Sequence, residues 1–255
     1  MHPQRFLVVL ATLLSIAQGC SMGEPPPPPA AAHTPERAAA PTPPPAAPTP
    51  PPAAAAPPAA PATPAPTDQL LPPPAEDERA PNRFTVVLET TKGNIELDVH
   101  RDWSPHGADR FYTLVKRGYY TDVAFFRVIP GFMAQVGLHG DPRVTVAWRE
   151  HTIPDDPVVE HNTRGRVSFA TAGPNTRTTQ FFVNYRDNSR LDGMGFSPFA
   201  EVRDMAVVDA LFGGYGEGQP RGMGPSQGLI HDQGNAYLRA QFPNLDYIRS
   251  ARVVQ

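Results

Sequence analysis

The run Phe125-Phe126-Arg127-Val128-Ile129-Pro130-Gly131-Phe132-Met133-Ala134-Gln135 holds the first residue that demands a chemical explanation. Arg127 stands in a strongly apolar stretch, and a guanidinium taken out of water is costly unless it is paired. In a strand, Arg127 shares a face with Phe125 and Ile129. Beyond the Pro130-Gly131 turn, Met133 and Gln135 share one face of the next strand. An antiparallel pairing of the two gathers Arg127, Phe132, Met133 and Gln135 into one patch, a charged hydrogen-bond donor beside apolar side chains. A surface arginine over a hydrophobic rim is the other reading, and spacing alone leaves it open.

A second stretch, Ser168-Phe169-Ala170-Thr171-Ala172-Gly173-Pro174-Asn175-Thr176-Arg177-Thr178-Thr179-Gln180-Phe181-Phe182, reads as strand, polar turn and strand, with Gln180 and Phe182 on one face. Leu191-Asp192-Gly193 and Phe196-Ser197-Pro198-Phe199 follow. Other chemistries find less support. His139 near Asp141, and the group Asp155, Asp156, Glu160 and His161, lack H-x-x-x-H or H-E-x-x-H spacing, so a solvated surface is expected rather than a metal site. The glycines of 213–224 form neither G-x-G-x-x-G nor Gly-Lys-Ser/Thr, so a mobile surface loop is expected rather than a phosphate cradle. No G-x-S-x-G occurs, which leaves serine hydrolysis unsupported. Trp103 and Trp148 are expected to be packing residues.

Together FFRVIPGFMAQ, SFATAGPNTRTTQFF and LDGMGFSPFAEV resemble the cyclophilin family of peptidyl-prolyl cis-trans isomerases, and the resemblance covers essentially Phe84 to Val254. The run GYGEGQPRGMGPSQGLI with GNAYLRAQFPNLDYIRSA is similar to a bacterial variety of the family. The resemblance implies a mainly β fold, an eight-stranded antiparallel barrel capped by two α-helices. It implies that Arg127 is the catalytic arginine, with Phe132 and Gln135 beside it. Phe132, Met133, Phe182 and Leu191 then line a proline pocket, while Gln135, Ala170, Thr171 and Gln180 hold the peptide on either side. Phe196 stands nearest to the position of the family's pocket histidine. The implied reaction is rotation about an X-Pro bond, which breaks no bond and so requires no cofactor, metal, nucleophile or general base. The sequence also departs from the family pattern. Phe126 replaces a histidine, Val136 a glycine, Leu138 an aspartate and Thr171 an asparagine. Arg190 precedes Leu191 where eukaryotic members often carry the tryptophan that helps bind cyclosporin, so weak sensitivity to that drug is expected.

These residues need a scaffold. Phe84–Thr90 and Asn94–Val99 alternate in a β pattern around the turn Thr91-Lys92-Gly93, which reads as a hairpin. Ser104 offers an N-cap and Pro105 a first helical position, Ala108, Phe111, Leu114 and Val115 follow at helical spacing, and Gly118 ends the run. Phe125–Ile129, Phe132–Val136, Arg166–Ala170 and Gln180–Asn184 are short β-type runs, Met205–Phe212 a second short helix and Tyr247–Val254 a last strand. Many short strands at even spacing with two helices point to a closed or nearly closed antiparallel barrel.

Composition separates this domain from what precedes it. Of 34 prolines in 255 residues, 22 fall between Pro25 and Pro74 and ten lie beyond Asn82. A Pro/Ala tract has too little apolar bulk and too few backbone donors to build a core. The reading is therefore a signal peptide over 1–19, a disordered Pro/Ala-rich linker over 20–82 and one domain over 83–255. The linker is read as a passive spacer, with a ligand for a proline-binding module as the alternative. From Arg83 onward Lys+Arg and Asp+Glu both number 19, so no nucleic-acid partner is expected. Phe6 to Ile16 is an uncharged apolar run too short to span a bilayer permanently, as a signal h-region is. Gly19-Cys20 resembles a bacterial lipoprotein cleavage site, and Cys20 is the only cysteine. Lipidation of Cys20 is the reading, and an ordinary secretory peptide the alternative.

The expected protein is an exported monomeric enzyme of the periplasm or cell envelope, anchored to the membrane by lipid and acting on unfolded or extended proline-containing polypeptides. A non-catalytic module that binds proline peptides is the alternative, and a structural surface protein whose point is the tether is a third. Arg127 separates the first two, because binding alone needs the pocket and not the guanidinium.

Overall fold

The computed structural model describes residues 67–73 and 77–254; Cys20, the signal run and most of the Pro/Ala tract lie outside the described residues. Nine strands form one antiparallel sheet: β1 Arg83–Thr90, β2 Gly93–His100, β3 Val123–Ala124, β4 Arg127–Ile129, β5 Met133–Val136, β6 Arg166–Phe169, β7 Phe181–Asn184, β8 Pro198–Val202 and β9 Tyr247–Val254. Their order across the sheet is β3-β9-β1-β2-β8-β6-β7-β5-β4. The two edge strands, β3 and β4, are separated in sequence by Phe125-Phe126 alone, so one short run of chain joins both edges of the curled sheet. Counted as one interrupted strand they give the expected eight. Phe125 turns into the main core and Phe126 into a second cluster. Phe125 therefore does not share the outer face of Arg127, as continuous strand geometry predicts.

The hairpin forms as expected, with Val86 opposite Leu97 and Leu88 opposite Ile95. All four are buried in the interior. Helix α2, Pro105–Lys116, inserts Ala108, Phe111, Leu114 and Val115 into the same interior, where the Phe111 ring meets Phe181 at 5.4 Å and Phe199 at 5.0 Å. Its cap differs from expectation. The Ser104 side chain makes no capping bond to its own helix and instead donates to Asp156 Oδ2 at 2.6 Å. Asp156 itself accepts from the N–H groups of His106 and Gly107. Asp156 is thus buried and structural rather than part of a solvated surface.

The helical inventory is larger than two. Single turns form at Thr67–Leu70 (α1) and Ala206–Asp209 (α4), the latter all that remains of the helix expected over Met205–Phe212. Its Val208 still enters the barrel core. Pro142–Arg149 (α3) and Gln227–Gln241 (α5) are helices that the pattern did not announce. They pack on each other, with α5 covering a second cluster of Ala124, Phe126, Ile230, Leu238 and Phe242.

The folded unit also begins before Arg83. Leu70 and Ala80 are buried, and the Trp148 indole donates to the Leu70 carbonyl at 2.7 Å. Asp77 pairs with buried Arg110 at 2.9 Å, and Glu78 with Lys116. The described segments 67–73 and 77–82, within the stretch read as linker, thus pack against the domain. Leu70 packs into the main core cluster, and Asp77 neutralises a buried cation.

Candidate active site

The site is built on one face of β4, β5, β6 and β7. Antiparallel register sets Arg127 opposite Gln135, Gln135 opposite Phe182, and Phe182 opposite Ser168, a single row across four strands. One step along, Ile129 faces Met133. Gly131 provides the turn between β4 and β5 with φ +72°, and open space surrounds the position its Cβ would take. The gathering of Arg127, Phe132, Met133 and Gln135 expected from spacing is what this register produces.

A cavity of about 310 Å³ opens over the row. Its walls include every residue singled out within the domain: Arg127, Phe132, Met133, Gln135, Ala170, Thr171, Gln180, Phe182, Leu191 and Phe196. Met133, Phe182 and Leu191 are a buried apolar cluster of their own, with Phe132, Ala170 and Phe196 packed against it. Phe196, with the weakest sequence warrant, stands edge-on to Phe182 at 5.6 Å. Arg190 lays its guanidinium over the Phe132 ring at 5.0 Å.

Buried polar side chains hold the apolar wall. The Phe132 carbonyl accepts from Asn188 Nδ2 at 2.9 Å and from the Tyr185 N–H at 3.0 Å. Asn188 also donates to Asn184 Oδ1, and its carbonyl accepts from the Leu191 N–H. Asn162 donates to the Phe196 carbonyl at 2.8 Å and is itself fixed by Asp192. Partial burial raises the Asp192 carboxyl, but hydrogen bonds from Asn162 and His161 outweigh it and leave the group below its ordinary value. Asn184 ends β7, Asn188 stands in the loop after it, and Asn162, in the loop before β6, accepts from Asn184 Nδ2 at 3.3 Å, so the supports of Phe132, Leu191 and Phe196 meet at the end of one strand. The Thr171 hydroxyl turns inward, to the Gly173 carbonyl and Thr176 Oγ1.

A chain of side chains crosses the polar wall. Arg127 Nη1 donates to Gln135 Oε1 at 2.9 Å, and Gln135 Nε2 donates to Gln180 Oε1 at 2.9 Å. The remaining edge of the guanidinium is taken by Glu217. Nε donates to Oε1 at 2.6 Å and Nη2 to Oε2 at 2.7 Å. The Arg127 hydrogen bonds hold the Glu217 carboxyl below its ordinary value, against the upward push of partial burial. The counter-charge that an arginine in an apolar strand requires thus comes from 90 residues away. Sequence reasoning missed Glu217, although the demand for a partner to Arg127 was legible. Ala172, Thr176 and Thr178, which stand within the second motif, and Gln227 also line the cavity and were given no role from the sequence.

Among the described residues, no group of three or more His, Cys, Asp or Glu side chains converges as a metal site would require. His161 pairs instead with Asp192 at 2.8 Å. Nor is any described helix long and apolar enough to cross a membrane. Trp148 is buried, and Trp103 stacks on His100 at 3.7 Å.

Comparison with known proteins agrees with this geometry. The family model described as cyclophilin type peptidyl-prolyl cis-trans isomerase/CLD matches residues 85–221. A peptidyl-prolyl cis-trans isomerase-like 1 of Gibberella zeae is 40% identical over 114 residues, which are 42% of this chain and 68% of that protein. The protein of the same name from Rhizopus delemar is 37% identical over 136 residues, 51% of this chain and 80% of its own length. A cyclophilin type peptidyl-prolyl cis-trans isomerase of Cryptosporidium parvum superposes with a TM-score of 0.51 at 21% identity, covering 68% of this chain and 98% of that one. A second structure of that protein, determined in the presence of the dipeptide Ala-Pro, superposes with a TM-score of 0.50. The family match spans more than half of the chain, and the chain belongs to the cyclophilin-type peptidyl-prolyl cis-trans isomerases.

Proposed function

We propose that this isomerase accelerates X-Pro rotation by hydrogen bonding from Arg127 to the prolyl nitrogen of a twisted amide. The observation that carries the reading is the union of Arg127 with a cavity of about 310 Å³ that has Phe132, Met133, Phe182 and Leu191 as its apolar side. A peptide bond resists rotation by about 18–20 kcal/mol because resonance ties up the nitrogen lone pair. As the amide twists, that lone pair localises and becomes an acceptor. A donor fixed beside it binds the transition state and not the planar ground state, which is how binding becomes rate. Phe132, Met133, Phe182, Leu191 and Phe196 seat the ring. Gln135, Gln180 and the backbone at Ala170 and Thr171 hold the flanking chain, so that rotation occurs on one side of the bond.

Magnitudes limit what Arg127 does alone. A 10⁵-fold acceleration needs about 7 kcal/mol. One charge-assisted hydrogen bond supplies about 1.5–3 kcal/mol, so positioning and exclusion of water supply the rest. Catalysis and mere binding separate in one assay. A short X-Pro peptide held in large excess should exchange between cis and trans faster with the protein present than without it. No acceleration by protein that binds the peptide would favour the binding module.

The substrates in this reading are exported proline-containing chains met outside the cytoplasm. Support comes from the apolar run Phe6 to Ile16 and from Gly19-Cys20, where the only cysteine meets a lipoprotein-like cleavage pattern. Mass spectrometry of the mature N-terminus is expected to find acylated Cys20 as residue one. A cut elsewhere, or an unmodified terminus, would refute the anchor.

A further inference from the structure

The glycine-rich run 213–224 has no part in the mechanism above, yet it delivers Glu217 to the guanidinium on which that mechanism turns. Loop construction explains the glycines. The Glu217 carbonyl accepts from the Gly224 N–H at 2.8 Å, and the Gly218 carbonyl accepts from the N–H groups of Arg221 and Gly222. A Cβ on Gly222 would come within 2.3 Å of the Glu217 carbonyl oxygen, one on Gly224 within 2.8 Å of the same atom, and one on Gly218 within 2.6 Å of the Pro225 carbonyl oxygen. The loop closes on itself around Glu217 only because these positions lack side chains. Its base is anchored as well. The Tyr215 ring sits edge-on to Phe212 and Phe242, each at 5.0 Å, and Gly213 packs closely on Pro130 of the turn that follows β4. The run lies at the surface, as expected, and folds around Glu217 into a compact support that presents its carboxylate.

We propose that Glu217 is a positioning residue for Arg127, holding the guanidinium by its Nε–Nη2 edge so that its unengaged N–H groups face the proline cavity. The inference rests on the reading of Arg127 as the catalytic arginine. An arginine has five N–H donors. Glu217 takes two and Gln135 takes one. Two remain, and the plane that carries them is set by the fork on the far side. The carboxylate is itself fixed, since Oε1 also accepts from the Gly218 N–H at 2.9 Å. The pair is partly open to water, with the Glu217 side chain one-third exposed. Such a pair adds little to folding stability, so orientation is the effect its geometry can deliver. A guanidinium held by Gln135 Oε1 alone, by contrast, would sample rotamers that aim its donors away from the substrate.

The test measures kcat and KM for a short X-Pro peptide in wild type, Glu217→Gln, Arg127→Ala and the double variant. Glu217→Gln replaces one acceptor oxygen by a donor and breaks the fork. The expected result is a kcat about tenfold lower with KM changed less than about twofold, and no further loss when Glu217→Gln is added to Arg127→Ala. An unchanged or faster Glu217→Gln would overturn the inference while leaving the Arg127 reading standing. The same loss repeated in the Arg127→Ala background would also overturn it, because a general loop defect needs no Arg127. A fully active Arg127→Ala would remove both. Should a variant not fold, wild-type protein still decides. Its Arg127 Nε–H should exchange with water at least tenfold more slowly than that of exposed Arg190, and equal exchange would overturn the fork.

Discussion

Asp156 reaches the first turn of α2 from a loop some 50 residues on and satisfies three donors there, the Ser104 hydroxyl and two helix N–H groups. It also pairs at 3.0 Å with Arg177, which is 2% exposed. Burial alone would raise its carboxyl, but Ser104, the His106 and Gly107 N–H groups and Arg177 outweigh that and hold it below the ordinary value. The sign of the pH effect follows. A carboxyl depressed on folding contributes stability that is present above the unfolded value of about 3.9 and lost as pH falls through the lower folded value. Asp156→Asn should therefore lose less stability than wild type between about pH 4 and pH 2, from a lower starting point. At pH 7, Asp156→Ala leaves a buried guanidinium without its main partner, and chemical denaturation should show a loss of about 3 kcal/mol or more. A loss under about 1 kcal/mol would place the charge pair among those that contribute little.

At the scale of elements, β7 is the spine of the site, because its side chains and the loop behind it fix the apolar wall. Asn188→Ala removes the donors to the Phe132 carbonyl and to buried Asn184 Oδ1. It should raise KM several-fold with a smaller change in kcat, and cost about 1–3 kcal/mol of stability for the unsatisfied acceptor. Unchanged KM in steady-state kinetics would mean that packing and the Tyr185 N–H hold Phe132 without the Asn188 amide. Elements whose own residues repeat at the right period were legible in the sequence, as in the β1–β2 hairpin, α2 and β9. The helices that were not legible have local reasons. In α3, Asp141 and Pro142 form an N-terminal signature, but Val146 faces water and the apolar pattern is thin. Gly234 takes φ +56° within α5 and breaks the helical period; the Asn235 N–H bonds to the Gly140 carbonyl, a contact between distant segments. Strand β8 opens on Pro198, which reads as a turn. Ten of the residues that line the cavity were legible because three long motifs carry them. Glu217 was not, because nothing local connects it to Arg127.

At the scale of the molecule, one folded unit reaches back past the sequence boundary at Arg83. Leu70 joins the main core cluster, and Asp77 neutralises an arginine whose Nη1 also donates to the carbonyls of His151 and Thr178. Thr178 lines the proline cavity, so the strap at the N-terminal side braces the same loop that forms one lip of the site. A chain starting at Arg83 should be less stable to denaturant than one starting at Thr67 by about 3 kcal/mol or more, the cost of leaving a buried charge unpaired. Equal midpoints and slopes would show that the strap is ornamental.

In the proposed mechanism turnover depends on one guanidinium. Catalysed cis-trans exchange of a short X-Pro peptide should fall at least tenfold in kcat/KM in Arg127→Ala, equivalent to about 1.4 kcal/mol of transition-state binding. Its far-ultraviolet circular dichroism should be unchanged. An Arg127→Ala protein as fast as wild type would show that the cavity suffices without its donor and would overturn the role of Arg127.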